Sequence, residues 1–179
     1  MNAFDEIQDL LAKTAMRDQV AFENLYEITS PKMYGLAMKM LKRRDWADEV
    51  LQEAFVKIWY NAEQYHHQKG SAINWMLSIL RYRAIDMLRA QSKFDEAILE
   101  ADALENISVD RNKGKAFDTD LDECLDELQE KQKNSLLLAF YEGYTHQELS
   151  RRLSVPLGTM KSWIRRSLEK LRSCLDEIY

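Results

Sequence analysis

GYTHQELSRRLSVPLGTMKSWIRRSLEKLR, residues 143–172, sets two helical patterns on either side of a break. Thr145 followed by Glu148 forms a Thr-x-x-Glu capping box, in which hydroxyl and carboxylate satisfy orphan backbone N–H groups where a helix starts. The helix so begun is expected to turn Leu149 and Leu153 inward. The run Ser154, Val155, Pro156, Leu157, Gly158 ends it, because Pro156 lacks a backbone N–H and disfavours helix in the residue before it. Proline is well tolerated at a first helical position, so a second helix starts at once. Along that helix Met160, Ile164, Leu168 and Leu171 recur at offsets of four, four and three, the spacing of a single buried face.

The opposite face presents Thr159, Lys161, Ser162, Arg165, Arg166 and Glu169. A short helix, a tight turn and a second helix whose N-terminal half is polar and basic fit a helix-turn-helix with its second helix in the DNA major groove. Arg165 and Lys161 suit base edges or phosphates, and Thr159 and Ser162 are small enough for close approach. The helix N-terminus adds a positive dipole suited to a phosphate. An αα-hairpin with a solvated basic face has the same spacing, and the motif alone leaves both readings open.

With 46% hydrophobic and 31% charged residues, and only five Gly and two Pro, the 179-residue chain has the composition of a folded, largely helical protein. No apolar run approaches the roughly 20 residues that span a bilayer. The N-terminal MNAFDEIQDL lacks a basic region followed by an apolar one, so a cytoplasmic location is expected. Cys124 and Cys174 are too few for a disulfide framework or a thiolate zinc site and are read as free, buried or half-buried thiols. The net charge of −5 argues against indiscriminate coating of nucleic acid. Charge is segregated, however. Residues 161–172 hold five basic groups and one acidic, whereas residues 95–110 hold six acidic groups and no basic one.

Upstream, residues 1–92 carry apolar positions at helical intervals throughout. Phe4, Ile7, Leu10 and Leu11 begin the pattern; Phe22, Leu25, Tyr26 and Ile28 continue it, and Pro31 is expected to mark the next helix start. Met33, Leu36, Ala37, Met40 and Leu41 make a third stripe. A fourth runs through Trp46, Val50, Leu51, Ala54, Phe55 and Ile58, with Asp45 as its candidate N-cap. A fifth covers Ile73, Leu77, Leu80, Ala84 and Leu88. Each stripe needs a partner, which a compact helical bundle supplies. Residues 93–120 lose the periodicity to acidic and small residues and read as a linker, within which 97–104 has the pattern of a short helix. Periodic stripes resume from 121 to 179. The expected fold is all-α: an N-terminal helical bundle (1–92), a flexible acidic linker (93–120) and a C-terminal helix-turn-helix domain (121–179).

Two further surfaces belong to the first domain. Residues 61–89 run from a polar loop with Tyr65, His66, His67, Lys69 and Gly70 into a helix with Trp75, Arg81, Tyr82, Arg83 and Arg89. Aromatics interleaved with basic groups suit single-stranded nucleic acid, since every base has a face to stack on and every phosphate a charge to neutralise. A loop beside such a helix suits an extruded base. Trp75 and Tyr82 also fit a plain core role. His66 and His67 lack the further ligands a zinc site requires, so neither metal nor cofactor is expected. WADEVLQEAFVKIW, residues 46–59, leaves Asp48, Glu49, Gln52, Glu53 and Lys57 on one face, a mostly acidic surface suited to a basic protein partner or to solvent.

Together these segments resemble the extracytoplasmic function (ECF) group of bacterial sigma factors over nearly the whole chain. WADEVLQEAFVKIW is similar to the family's helix that docks on the clamp helices of RNA polymerase. GSAINWMLSILRYRAIDMLR resembles its reader of the melted minus ten element, and GYTHQELSRRLSVPLGTMKSWIRRSLEKLR its minus thirty-five reader. The resemblance implies that Asp48, Glu49, Gln52 and Glu53 bind core polymerase. It implies that Thr159, Lys161, Ser162, Arg165 and Arg166 meet the minus thirty-five duplex while the second domain sits about the flap. Tyr65, His66, Lys69, Trp75, Arg81, Tyr82 and Arg83 would hold nontemplate bases of the melted minus ten. Binding energy for unpaired bases would drive melting. The linker would thread toward the polymerase active centre, and an anti-sigma protein would hold the chain inactive. Tyr82 stands where many family members carry asparagine, and Trp163 where arginine is frequent.

The alternative reading is a stand-alone helix-turn-helix regulator whose N-terminal bundle mediates dimerisation, to be told apart by symmetric half-sites about one DNA turn apart. An enzyme is not expected: the sequence has no phosphate-cradling glycine loop and no His-Glu-x-x-His.

Overall fold

The computed structural model describes residues 3–98 and 119–178. Among these the chain forms eight α-helices, two short 3₁₀ turns and no strand, so the all-α expectation holds. It divides into two compact units, Met1–Ile98 and Leu99–Tyr179.

The first unit contains α1 (Ala3–Ala15), α2 (Gln19–Leu41), α3 (Arg44–Asn61) and α4 (Ala72–Ile98). Leu11, Leu25, Met33, Met40, Val50, Ile58, Met76 and Leu80 are fully buried among these helices, each contributing roughly 1.5–3 kcal/mol by leaving water. Buried hydroxyls are satisfied within their own helices: Thr14 donates to the Leu10 carbonyl at 2.8 Å and Thr29 to that of Leu25 at 2.6 Å. Between α1 and α2, Arg17 takes a left-handed φ of 66°, and Asp18 caps α2 by accepting from the Ala21 N–H at 3.0 Å.

Three boundaries differ from the sequence reading. Pro31 does not start a helix; α2 runs through it, joining two expected stripes. Ala21, Leu25, Thr29, Met33 and Ala37 stay buried at four-residue intervals, while Pro31 and Glu27 are exposed, so the missing donor falls on the solvent side of the helix. The N-cap of α3 is Arg43, with extended backbone, instead of Asp45. Asp45 lies in the first turn, where its negative charge favours the positive helix end, and it accepts from Arg43 Nε at 3.2 Å. Finally, α4 continues past position 92 to Ile98, so the start of the expected linker is helical. Its end is helical too, since the next helix starts at Thr119, and residues 99–118, most of the 97–104 segment included, lie outside the described residues.

The second unit is built from α5 (Thr119–Asp126), α6 (Glu130–Tyr141), α7 (His146–Arg152) and α8 (Leu157–Ile178). Its core gathers Cys124, Leu125, Leu128, Leu136, Leu138, Leu149, Met160, Ile164 and Leu171. Gly143, at a left-handed φ of 71°, ends α6 and lets the Tyr144 N–H return to the Leu138 carbonyl at 3.4 Å. The capping box forms as read: the Glu148 N–H donates to Thr145 Oγ1 at 3.2 Å and the Thr145 N–H donates to Glu148 Oε2 at 2.6 Å. Pro156 precedes the first helical residue of α8, and its carbonyl accepts from the Met160 N–H at 3.0 Å.

Three expectations are corrected in this unit. Leu153 does not turn inward; it closes α7 and is 40% exposed. Leu168 is 54% exposed, and the buried stripe of α8 passes through Ser167 instead, running Met160, Ile164, Ser167, Leu171. Ile164 has neighbours at both three and four positions on its own face. The smaller one is buried here, its hydroxyl satisfied by the Trp163 carbonyl at 2.8 Å. The cysteines are not free thiols: Cys124 and Cys174 form a disulfide, with Cα atoms 5.8 Å apart, although they are fifty positions apart in sequence. Cys124 lies on the core face of α5, and the α8 stripe carried on past Leu171 brings Cys174 to it. Lys170 reinforces the same junction by donating to the Glu127 carbonyl at 2.6 Å.

Candidate nucleic-acid and protein interfaces

The first half of α8 exposes Thr159, Lys161, Arg165 and Arg166, with Ser162 half-buried beside them. Arg165 has only a long approach to Glu169, 3.8 Å with both side chains mostly exposed, so its guanidinium is available to an incoming anion. Trp163 is absent from this face. It packs half-buried against the core of the unit and so supports the helix from behind.

The turn in front of α8 is tied at several points. Ser154 takes a left-handed φ of 51°, and the Leu153 N–H returns to the Leu149 carbonyl at 2.9 Å. Ser150 bonds Val155 twice, through its hydroxyl and through its backbone carbonyl. These bonds hold the α7 end against the α8 start.

Arg151 and Arg152 end α7 exposed, and the sequence reading missed them as candidates. Arg152 donates to the Tyr144 hydroxyl at 3.2 Å and lies 5.3 Å from the ring centroid, a cation–π arrangement that fixes where its charge is presented. Their signal was the Arg-Arg pair directly before the turn.

In the first unit, Tyr65 and Trp75 hold the loop that connects α3 to α4. The Tyr65 hydroxyl donates to the Gly70 carbonyl at 3.0 Å, and its ring lies 5.9 Å from that of Trp75. Gly70 has φ 138°, a conformation that favours glycine. His66, His67, Gln68 and Lys69 are exposed and line an open concavity on this loop. Among the described residues, no group of His, Cys, Asp and Glu is arranged to hold a metal ion.

Along α4, Tyr82 is 64% exposed, at a helix position directly opposite the buried stripe of Met76, Leu80 and Ala84. Arg81 and Arg83 flank it on the two sides. Burial lowers the Arg81 guanidinium from its usual value, with Tyr82 opposing the shift, and the side chain is half-buried. Arg83 turns toward α3, where its Nε donates to Glu53 Oε2 at 2.9 Å and its Nη2 donates to the same oxygen. Glu53 and Arg83, expected to face different partners, are therefore engaged with one another.

The outward face of α3 keeps Asp48, Glu49 and Gln52 exposed. Val56 and Tyr60, 56% and 63% exposed, extend that face as an apolar end that the sequence pattern does not disclose, because apolarity alone points a helical residue inward. Arg17 lies against this end, donating to the Trp59 carbonyl at 2.5 Å and stacking 5.8 Å from the Tyr60 ring centroid. At the opposite end Arg43 sits 4.2 Å from the Trp46 ring centroid, and its hydrogen bond holds the Asp45 carboxyl below the usual carboxylate value.

Comparison with known proteins matches residues 25–94 to the family model for Sigma-70 region 2 and residues 118–171 to that for Sigma-70 region 4. The ECF RNA polymerase sigma factor SigK of Mycobacterium bovis (strain BCG / Pasteur 1173P2) is 33% identical over 176 residues, covering 96% of this chain and 94% of the relative. SigK of Mycobacterium ulcerans (strain Agy99) is 32% identical, covering 96% and 95%. Among solved structures, CnrH in complex with the cytosolic domain of CnrY is 18% identical with a TM-score of 0.44, covering 96% of this chain and 98% of that one.

Proposed function

The chain belongs to the ECF sigma factors of RNA polymerase, and on that premise we propose a division of labour among its exposed faces. As an alternative sigma factor it directs core polymerase to promoters, acting by binding and without an enzymatic activity of its own. Its partners are core polymerase and promoter DNA.

Asp48, Glu49 and Gln52 on α3 form the docking face for the basic clamp helices of the core, with Val56 and Tyr60 as its apolar end. In the C-terminal unit, α8 enters the minus thirty-five major groove. Lys161 and Arg165 reach base edges or phosphates there, Thr159 and Ser162 allow close approach, and Arg166 neutralises a phosphate. Arg151 and Arg152 meet the backbone as the first helix of the motif crosses it. The observation that carries this reading is the outward, basic half of α8 with Trp163 turned to the core behind it.

Melting of the minus ten falls to the first unit. Tyr65 and Trp75 brace the loop, His66 and Lys69 line its open side, and Tyr82 offers a ring on which an unpaired base stacks. Arg81 supports that surface from within α4. Capture of unpaired bases supplies the free energy that strand separation requires. The exposed α3 face also suits an anti-sigma protein, which would block the core by covering it. Work with polymerase places the chain in the cytoplasm, and among the described residues no helix is long and apolar enough to cross a membrane.

The test is run-off transcription with purified core polymerase at a promoter selected from genomic DNA. Initiation that depends on the chain is expected; tight duplex binding without core, and no initiation, would overturn the reading.

A further inference from the structure

Glu53 and Arg83 are thirty positions apart in sequence and meet between the two helices whose outer faces serve different partners. Glu53 follows Gln52 on the docking helix α3. Arg83 follows Tyr82 on α4. Their side chains are 40% and 28% exposed, and Arg83 Nη1 is also 3.6 Å from Asp86, so the guanidinium sits between two carboxylates. A group neutralised in this way is poorly placed to capture a phosphate. The buried faces of α3 and α4 carry large side chains, Val50, Phe55, Ile58, Met76 and Leu80, as well as Ala47, Ala54, Ala72 and Ala84, and the Glu53–Arg83 bond adds a charged link beside that packing. Arg83 brings both Nε–H and Nη2–H to one oxygen, Glu53 Oε2, a charge-assisted link that ties a fixed point on α4 to a fixed point on α3.

We propose that Glu53 and Arg83 are positioning residues for promoter recognition. They fix the register of α4 on α3 and thereby hold Tyr82 toward the unpaired strand, and neither is a contact to polymerase or DNA. This rests on the sigma-factor reading above. Fixing register is the best-attested use of a shielded polar pair, whose net stabilisation is small.

The experiment uses holoenzyme reconstituted from the full chain and core polymerase. It measures two affinities: of the chain for core, and of the holoenzyme for a fluorescent single-stranded oligonucleotide bearing the nontemplate minus ten of a promoter that holoenzyme has selected. Glu53→Gln and Arg83→Gln are each expected to weaken oligonucleotide binding about tenfold, with core affinity changed by less than about twofold. The double variant is expected to bind no more weakly than the weaker single. The exchange of Glu53→Arg with Arg83→Glu should restore most of the loss, which an unspecific packing role would not do. Loss of core affinity with strand binding intact, or a double-variant loss equal to the product of the singles, overturns the proposal. Should a single variant fail to fold, the exchange decides: one that folds and binds core but does not recover strand binding also overturns it. Failure of the wild-type holoenzyme to initiate at all overturns the functional reading, and this proposal with it.

Discussion

Ser150 and Val155 hold each other by two bonds across the turn: the Ser150 hydroxyl donates to the Val155 carbonyl at 2.6 Å, and the Val155 N–H donates to the Ser150 carbonyl at 3.0 Å. One residue at the end of a short helix thus sets the angle at which the next helix leaves. Ser150→Ala removes the hydroxyl bond and is expected to lower the stability of the C-terminal unit by about 1 kcal/mol. Thermal unfolding measures the stability, and the loss in minus thirty-five binding should exceed what unfolding alone explains.

Arg165 and Arg152 should differ in kind. Arg165→Ala is expected to cost about 1–3 kcal/mol at a promoter with its preferred base and to relax preference at that position. Arg152→Gln should weaken all duplexes alike and lower the salt slope of binding by about one. Titrations of matched and mismatched duplexes at several salt concentrations separate the two, and core binding should survive both changes.

The buried stripe of α8 gives opposite expectations for neighbouring positions. Leu168→Gln should change stability by no more than about 0.5 kcal/mol, since the residue is already 54% exposed. Ser167→Leu should cost about 1–3 kcal/mol by overfilling a closed site. Denaturant unfolding of the two variants measures both, and a reversed order would mean that the stripe runs through Leu168 after all.

The disulfide is expected to contribute up to about 4 kcal/mol to the C-terminal unit, from the loop it closes between positions fifty apart. Reduction of the wild type, or Cys174→Ser, should lower the melting temperature of that unit while leaving the first unit unchanged. Thiol titration of the unfolded chain should find no free thiol before reduction and a pair after it.

What was legible in the sequence was local. The Thr145 and Glu148 box can be read from spacing because both partners lie within one helical turn, and so can the break at Pro156. The exposed basic set on α8 follows from the same periodicity. What was not legible depended on a choice between equivalent positions or on tertiary approach. Apolarity favours Leu168 over Ser167, yet packing buried the smaller residue. Pro31 marks a helix start in many chains, but on the solvent side of a long helix its missing donor is tolerated. Nothing in a single sequence says that Cys124 meets Cys174, or that Glu53 and Arg83 face one another.

The Glu53 and Arg83 bond also bears on how such chains can be recombined. A hybrid that borrows α4 from a relative to redirect promoter choice, while keeping its own α3, separates two charges that are matched here. If the borrowed helix has a neutral residue at position 83, Glu53, whose side chain is 40% exposed, keeps its charge but loses the link that ties α3 to α4. The smallest transferable cassette is therefore α3 through α4 as one block, and the positions to inspect first in any graft are 53 and 83.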